Sequence, residues 1–296
     1  MSAPEPLYAC IEGGGTKFVV GIARSPDEVL ATARFPTTTP GETLDAVAGW
    51  FREQMAQHGT FAALGIGSFG PIELDRSSPD WGHVLNTPKP GWRGADVCGP
   101  LAAALSVAIG LDTDVNAAAM AEHSWGAARG QRVAAYVTVG TGIGGGMIVG
   151  GEPVRGVTHP EIGHAPVRRH ADDDFPGICA VHGDCLEGLA SGPAIKARWG
   201  ASLSDLPADH PGREIIAWYL GQIAVTLQAV LEPGRIVFGG GVMATPGLLD
   251  RVRRHAAAIG AGYFRGRPEE VIVSPGLGDR AGLLGALALA MGAAER

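Results

Sequence analysis

The sequence predicts an α/β fold made of two similar halves, and three observations predict it. Short apolar, β-rich runs alternate with stretches of helical periodicity, the pattern of layered strands and helices with parallel pairing. A strand–glycine turn–strand unit occurs twice, near the N-terminus and again near the middle, as a duplicated domain would place it. At 296 residues the chain also exceeds one typical hydrophobic core, so two domains are expected.

The elements follow in order. Residues 7–11 form an apolar run, Glu12-Gly-Gly-Gly-Thr-Lys17 a glycine turn, and residues 18–23 a second strand. Residues 46–57 have helical spacing, 62–68 read as a buried strand and 107–113 as another, with a helix expected over 117–128. The pattern then restarts with a strand at 134–139, the run Gly140-Thr-Gly-Ile-Gly-Gly-Gly146 and a strand at 147–149. A long helix over 214–231, a short strand at 236–238 before Gly239-Gly-Gly241, a strand at 271–274 and a small-residue helix over 281–291 complete the chain. The expected division is 1–114, with about 279–296 packing back on it, and 115–278.

Composition narrows the function classes. The hydrophobic share of 46% suits ordinary globular burial, and there is no uninterrupted apolar run of membrane-spanning length (~18 residues). Residues 1–6 are polar and Pro-rich without the pattern of a secretory signal, so a cytoplasmic protein is expected. A net charge of −7 argues against a nucleic-acid partner, while a local site could still hold a polyphosphate. The 46 glycines show no collagen period and gather in short loops, so their placement carries the information.

Glu12-Gly-Gly-Gly-Thr-Lys17 is not a P-loop, because β-type residues rather than a helix follow it. Successive backbone N–H groups of a glycine turn can still form a concave nest for an anion. In that reading Gly14 permits close approach, Thr16 adds a hydroxyl and Lys17 a point charge. A plain connecting turn is the ordinary alternative for one such loop. The second loop, Gly140-Thr141-Gly142, favours phosphate binding, since two equivalent hairpins could grip a polyphosphate from both sides. Gly240 and Gly241 could face an adenine or simply form a strand–helix turn.

Asp114 stands at the carboxyl end of a strand, where ligands of parallel sheets bind, and could accept a proton from an attacking hydroxyl. Asp112 rivals it by type and spacing, and Asn116 is read as the cap of the following helix. His164-x14-Cys179-x2-His182-x2-Cys185 offers the four nitrogen and sulfur donors of a structural zinc site. The loop between His164 and Cys179 is polar and turn-rich, so a metal staple would explain how it is held. A disulfide between Cys179 and Cys185, or a surface loop with chance donors, are the alternatives.

Together these residues resemble the ROK family of bacterial sugar kinases. The resemblance is carried in order by Glu12-Gly-Gly-Gly-Thr-Lys17, Thr113-Asp-Val-Asn-Ala-Ala118, Gly140-Thr-Gly142, Pro160-Glu-Ile-Gly-His164, Cys185-Leu-Glu187 and Gly239-Gly-Gly-Val242. Gly67-Ser-Phe-Gly-Pro71, Thr87-Pro-Lys-Pro-Gly-Trp92, His182-Gly-Asp-Cys185 and Gly188-Leu-Ala-Ser-Gly-Pro193 bring it nearest to the zinc-containing fructokinases. The resemblance implies a duplicated ribonuclease-H-like, actin-like ATPase fold with an interdomain cleft, and ATP-dependent phosphorylation of a hexose, D-fructose first. Mannokinase and glucokinase are the alternatives, and a non-catalytic sugar-binding regulator a further one.

It also implies Asp114 as general base and Glu161, His164 and Glu187 as holders of sugar hydroxyls. His164 doubles as a zinc ligand with Cys179, His182 and Cys185. Gly14, Thr16, Lys17, Gly140, Thr141 and Gly142 fall on the phosphate loops, and Gly240 and Gly241 on the adenosine side. The cofactors implied are ATP, Mg2+ and structural Zn2+, and a homodimer is the expected assembly. Three positions depart from the family pattern: Cys-x2-His-x2-Cys replaces its usual cysteine spacing, Thr113 stands where many of its glucokinases have Asn, and Glu12 stands where Asp is usual.

Overall fold

Two five-stranded sheets with the same strand order frame the protein, in a computed structural model that describes residues 5–87 and 89–296. Residues 1–4 and Pro88, within the Thr87–Trp92 motif, lie outside the described residues. The chain divides into two compact units, Met1–Ala121 with Arg155–His159 and Asp279–Arg296, and Glu122–Val154 with Pro160–Gly278. The split falls inside a helix rather than after residue 114, and periodicity did not indicate the return of Arg155–His159 to the first unit.

In the first unit β1 (Tyr8–Gly13) pairs antiparallel with β2 (Lys17–Ser25), and β2 with β3 (Glu28–Pro36). On its other edge β1 pairs parallel with β4 (Ala63–Ser68), which pairs parallel with β5 (Ala108–Thr113). Helix α1 (Pro40–His58) begins six residues before the expected start at 46. Thr39 accepts from the Glu42 N–H at 3.4 Å, with a proline in the first turn, so a capping signal extends the helix beyond its apolar periodicity. Helices α2 (Gly99–Leu105) and α3 (Asp114–Trp125) flank β5.

The last helix of the chain, α9 (Ala281–Ala294), packs on β4, β1 and β5. A Cβ on Gly65 would lie 1.7 Å from the Ala286 carbonyl oxygen, so the helix backbone rests directly on the sheet backbone there. The small residues of α9 therefore serve this internal packing, with Ala281, Gly285, Ala286, Ala290 and Ala293 all buried.

The second unit repeats the plan: β6 (Val133–Val139) pairs antiparallel with β7 (Ile143–Val149), β7 with β8 (Glu152–Pro153), and β6 parallel with β9 (Arg235–Gly239). A short β10 (Ile272–Val273) closes the edge parallel to β9. β7 starts at Ile143 instead of the expected 147, because Gly144, Gly145 and Gly146 pair with Thr138, Val137 and Tyr136. Helices α4 (Leu186–Ala190), α5 (Gly192–Trp199), α6 (Gly212–Leu231), α7 (Leu248–Gly260) and α8 (Pro268–Val271) complete the unit. By length and composition α6 could cross a membrane, but its buried residues, among them Tyr219, Leu220 and Ile223, sit in the core of this unit. Arg251 and Arg254 of α7 pair with Glu214 of α6.

Candidate active site

The junction of β5 and α3 places the two aspartates in different surroundings. Asp112 is fully buried in β5, and its Oδ1 accepts from the Thr113 N–H at 2.8 Å and Asn116 Nδ2 at 2.7 Å. Arg155 Nη2 reaches its Oδ2 at 2.5 Å. A carboxylate so enclosed and so paired anchors the turn, whereas Asp114, the first residue of α3, is half-buried. The cap is Thr113, whose hydroxyl accepts from the Asn116 N–H at 3.1 Å; this corrects the expectation that Asn116 caps the helix. Asn116 instead spends its amide on Asp112. The two aspartates also do not share a strand face, because the strand ends between them.

The first glycine turn joins β1 to β2 and closes with the Gly14 N–H donating to the Lys17 carbonyl at 2.9 Å. Gly15, Thr16 and Lys17 are exposed. Thr37 Oγ1 donates to the Gly14 carbonyl at 2.7 Å and Lys89 Nζ to the Gly15 carbonyl at 2.6 Å. Burial pushes the Glu12 carboxyl above its ordinary range, while Lys17 and Arg34 pull it back.

The second turn joins β6 to β7, with the Gly140 N–H donating to the Gly142 carbonyl at 2.9 Å. The Gly192 N–H, at the start of α5, donates to the Gly140 carbonyl at 2.8 Å. Glu187 of α4 accepts from the Ile143 N–H at 2.8 Å, which ties this carboxylate to the turn. The third glycine cluster is a turn from β9 into a short 3-10 segment. Gly240 has φ 91°, and a Cβ there would strike Val139 backbone atoms at 2.5–2.7 Å, so only glycine fits against β6. Gly241 lines a cavity of about 100 Å³ together with Gly192, Ile195, Leu203, Val242 and Thr245.

The ligand atoms of His164, Cys179, His182 and Cys185 all lie within 4.8 Å of one another. Cys179 Sγ is 3.7 Å from His164 Nδ1 and 3.8 Å from His182 Nδ1, and Cys185 Sγ is 3.5 Å from His164 Nδ1. Zinc bond lengths of about 2.0–2.3 Å give tetrahedral edges of about 3.3–3.8 Å, so the donor set fits a structural zinc. None of the four cysteines forms a disulfide, which removes the Cys179–Cys185 bridge as an alternative. The knuckle closes with reciprocal backbone bonds between Cys179 and Gly183 at 3.1 and 2.9 Å. It packs on α4 at Gly188, where a Cβ would lie 2.0 Å from the Gly183 carbonyl oxygen.

The preceding loop is held by side chains of α5 and α6. Asp173 pairs with Arg198 at 3.2 Å and accepts from the Tyr219 hydroxyl at 2.5 Å, with both charged side chains nearly excluded from solvent. Gln222 brackets Arg168, accepting its N–H at 2.8 Å and donating to its carbonyl at 3.0 Å. Burial and the bond to Asp173 push the Tyr219 hydroxyl up to about 12. Side chains of α5 and α6 thus grip the middle of the loop, and the donor tetrad stands at its end.

Residues 8–293 match the ROK family. The chain belongs to that family. It is 51% identical over 301 aligned residues to a fructokinase of Zymomonas mobilis, covering 100% of both chains. Among solved structures it resembles a ROK hexokinase from Thermus thermophilus, with 28% identity, a TM-score of 0.78 and coverage of 96% and 98% of the two chains. A ROK glucokinase from Streptomyces griseus, solved with glucose and AMPPNP, gives 26% identity, a TM-score of 0.78 and coverage of 97% and 99%. The ROK fold accounts for the repeated strand order, a duplicated ribonuclease-H-like plan.

Within this ROK chain the structure gathers Gly140, Thr141, Gly142, Glu187, Gly240 and Gly241 around β6, β7 and α4 of the second unit. Glu161 is exposed and precedes the 3-10 segment Ile162–His164 that brings His164 to the thiols. Lys89, Thr37, Asp173, Arg198 and Arg155 were missed. Each acts through contacts distant in sequence, and only the Thr87–Trp92 motif hinted at Lys89.

Proposed function

We propose that this ROK protein is an ATP-dependent fructokinase that converts D-fructose to fructose 6-phosphate. The observation that carries the reading is the 51% identity, end to end, with a fructokinase, against 26% with a glucokinase of the same fold. The sugar hydroxyl would attack the γ-phosphorus, the bond to the β–γ bridging oxygen would break, ADP would leave and Asp114 would take the proton. Asp114 suits this role because it is half-exposed at the N-terminus of α3, while buried Asp112 keeps the turn beneath it in place. The turns closed by the Gly14 and Gly140 amides would present the N–H groups of Gly15–Thr16 and Thr141–Gly142 to phosphate oxygens, and Lys17 would add charge.

Mg2+, when bound with ATP, would neutralise charge on the transferring phosphoryl group. His164, Cys179, His182 and Cys185 would hold Zn2+, which would cross-link the loop that ends at Glu187. His164 turns Nδ1 to the thiols, so its Nε2 is the nitrogen suited to a sugar hydroxyl, beside Glu161 and Glu187. Gly240 and Gly241 are assigned to the adenosine side, and the protein is read as a cytoplasmic homodimer. A coupled MgATP assay against fructose, mannose, glucose and N-acetylmannosamine tests the substrate. Fructose should give the highest kcat/KM; a preference for mannose or glucose would reassign the substrate, and no ADP with any sugar would overturn the kinase reading.

A further inference from the structure

The first glycine turn is held from behind by two residues that lie well outside it. Thr37 Oγ1 donates to the Gly14 carbonyl at 2.7 Å, and Lys89 Nζ donates to the Gly15 carbonyl at 2.6 Å. The two clamps are also joined to each other and to the turn. Lys89 Nζ reaches the Thr37 carbonyl at 3.1 Å, and the Thr37 N–H donates to the Thr16 carbonyl at 3.0 Å.

The peptides here are trans, and in a planar trans peptide the C=O and the following N–H point in opposite directions. Fixing the Gly14 and Gly15 carbonyls toward Thr37 and Lys89 therefore turns the N–H groups of Gly15 and Thr16 to the opposite side. Both residues are exposed, and among the described residues neither amide has an acceptor within the protein. Two adjacent N–H groups, aimed alike and left to solvent, form a cradle for an anionic oxygen.

The clamps themselves are rigidly seated. Lys89 lies three residues before Trp92, which is fully buried and donates from Nε1 to the Thr38 carbonyl at 2.8 Å. The Trp92 ring stacks on Phe18 at 5.6 Å and meets Phe69 edge-on at 5.2 Å. Phe18 belongs to β2, so the segment that carries Lys89 is fixed to the hairpin it clamps.

We propose that Thr37 and Lys89 are positioning residues for the nucleotide phosphate. They preset the Gly15 and Thr16 amides before the nucleotide arrives, and the Lys89 ammonium adds positive charge behind the cradle. This deepens the kinase reading and rests on it. Preorganisation of this kind lowers the cost of binding, because the turn has no alternative peptide orientation to give up. A lysine does more here than a neutral donor would, since its charge also favours an anion on the far side of a single peptide.

The test is calorimetric titration of a non-hydrolysable MgATP analogue, without sugar, into wild-type protein and into Thr37→Val, Thr37→Ser and Lys89→Met. Affinity should fall about fivefold in Thr37→Val and about tenfold or more in Lys89→Met, in line with a neutral and a charge-assisted hydrogen bond. Thr37→Ser, which keeps the donor, should bind like wild type, and KM for fructose should move less than twofold in all three. Wild-type affinity in both Thr37→Val and Lys89→Met overturns the proposal, as does a loss confined to fructose. If Lys89→Met does not fold, the contrast between Thr37→Val and Thr37→Ser decides alone. A wild-type protein that does not bind the analogue overturns the kinase reading itself and the proposal with it, which separates the two failures.

Discussion

The two glycine turns occupy the same place in two sheets of the same strand order, yet they are held in different ways. In the first unit the turn carbonyls are fixed by side chains, Thr37 Oγ1 and Lys89 Nζ. In the second unit the Gly140 carbonyl takes a backbone N–H from Gly192, and the carboxylate of Glu187 takes the Ile143 N–H. A duplicated backbone thus keeps its requirement for oriented peptides while each copy meets it with different neighbours. The strands next in order diverge further: β5 leads into Asp112-Thr-Asp114, whereas β10 leads into Ser274 and Pro275. One half carries the candidate base and the other the donor tetrad.

The sharpest way to break this comparison is at the base. Asp114→Asn should lower kcat by about 10³-fold, within the usual range for general-base loss, while Ser274→Ala at the end of β10 leaves kcat within twofold. The thermal midpoint should stay unchanged in both, so a large effect of Ser274→Ala would show that the halves share the chemistry. Next in size is the tetrad. Cys185→Ala should abolish stoichiometric zinc by metal analysis and lower the thermal midpoint, since it removes a buried donor of a metal cross-link. Retained zinc at an unchanged midpoint would refute the staple in the second unit.

Packing gives a third contrast. Gly65→Ala forces a Cβ to within 1.7 Å of a helix carbonyl, whereas Gly145→Ala meets the flexible end of Ile162 at 2.2 Å. Denaturant melts should show a loss of about 3 kcal/mol for the first and about 1 kcal/mol for the second. The smallest effect concerns Glu12. Its folded carboxyl titrates above the ordinary 4.5, so the unfolded chain ionises first and this group's contribution declines as pH rises through that interval. Glu12→Gln should remove that decline, seen as a flatter thermal midpoint against pH on the alkaline side of 4.5; an unchanged slope would mean that another group sets it.

Much of the fold was legible because alternating and helical apolar spacing survive in single segments. Strands 62–68 and 107–113 and the helix over 214–231 fall within a residue or two of β4, β5 and α6. The helix start at Pro40 was written in Thr39-Pro-Gly-Glu42, a cap rather than a periodic signal. β7 was cut short because glycines read as a turn, although their pairing with β6 made them strand. Of the candidate site, the four clustered nitrogen and sulfur donors could be named from spacing, since a metal restricts which residue types can serve. Asp112 and Asp114 could not be separated, because burial, and not residue type, distinguishes them.

The sequence by itself determined the repeated strand–glycine–strand plan, the donor set of the tetrad and a carboxylate pair at a strand end. These depend on local spacing and on the chemistry of side-chain types, both of which a linear chain displays. Only the tertiary structure decided which aspartate is enclosed by Arg155 and Asn116, that Arg198 and Tyr219 grip the loop before the donor tetrad, and that Thr37 and Lys89 bond the first turn. Hydrogen bonds and ion pairs over such separations arise from how the layers pack, and no residue announces its distant partner until the chain has folded.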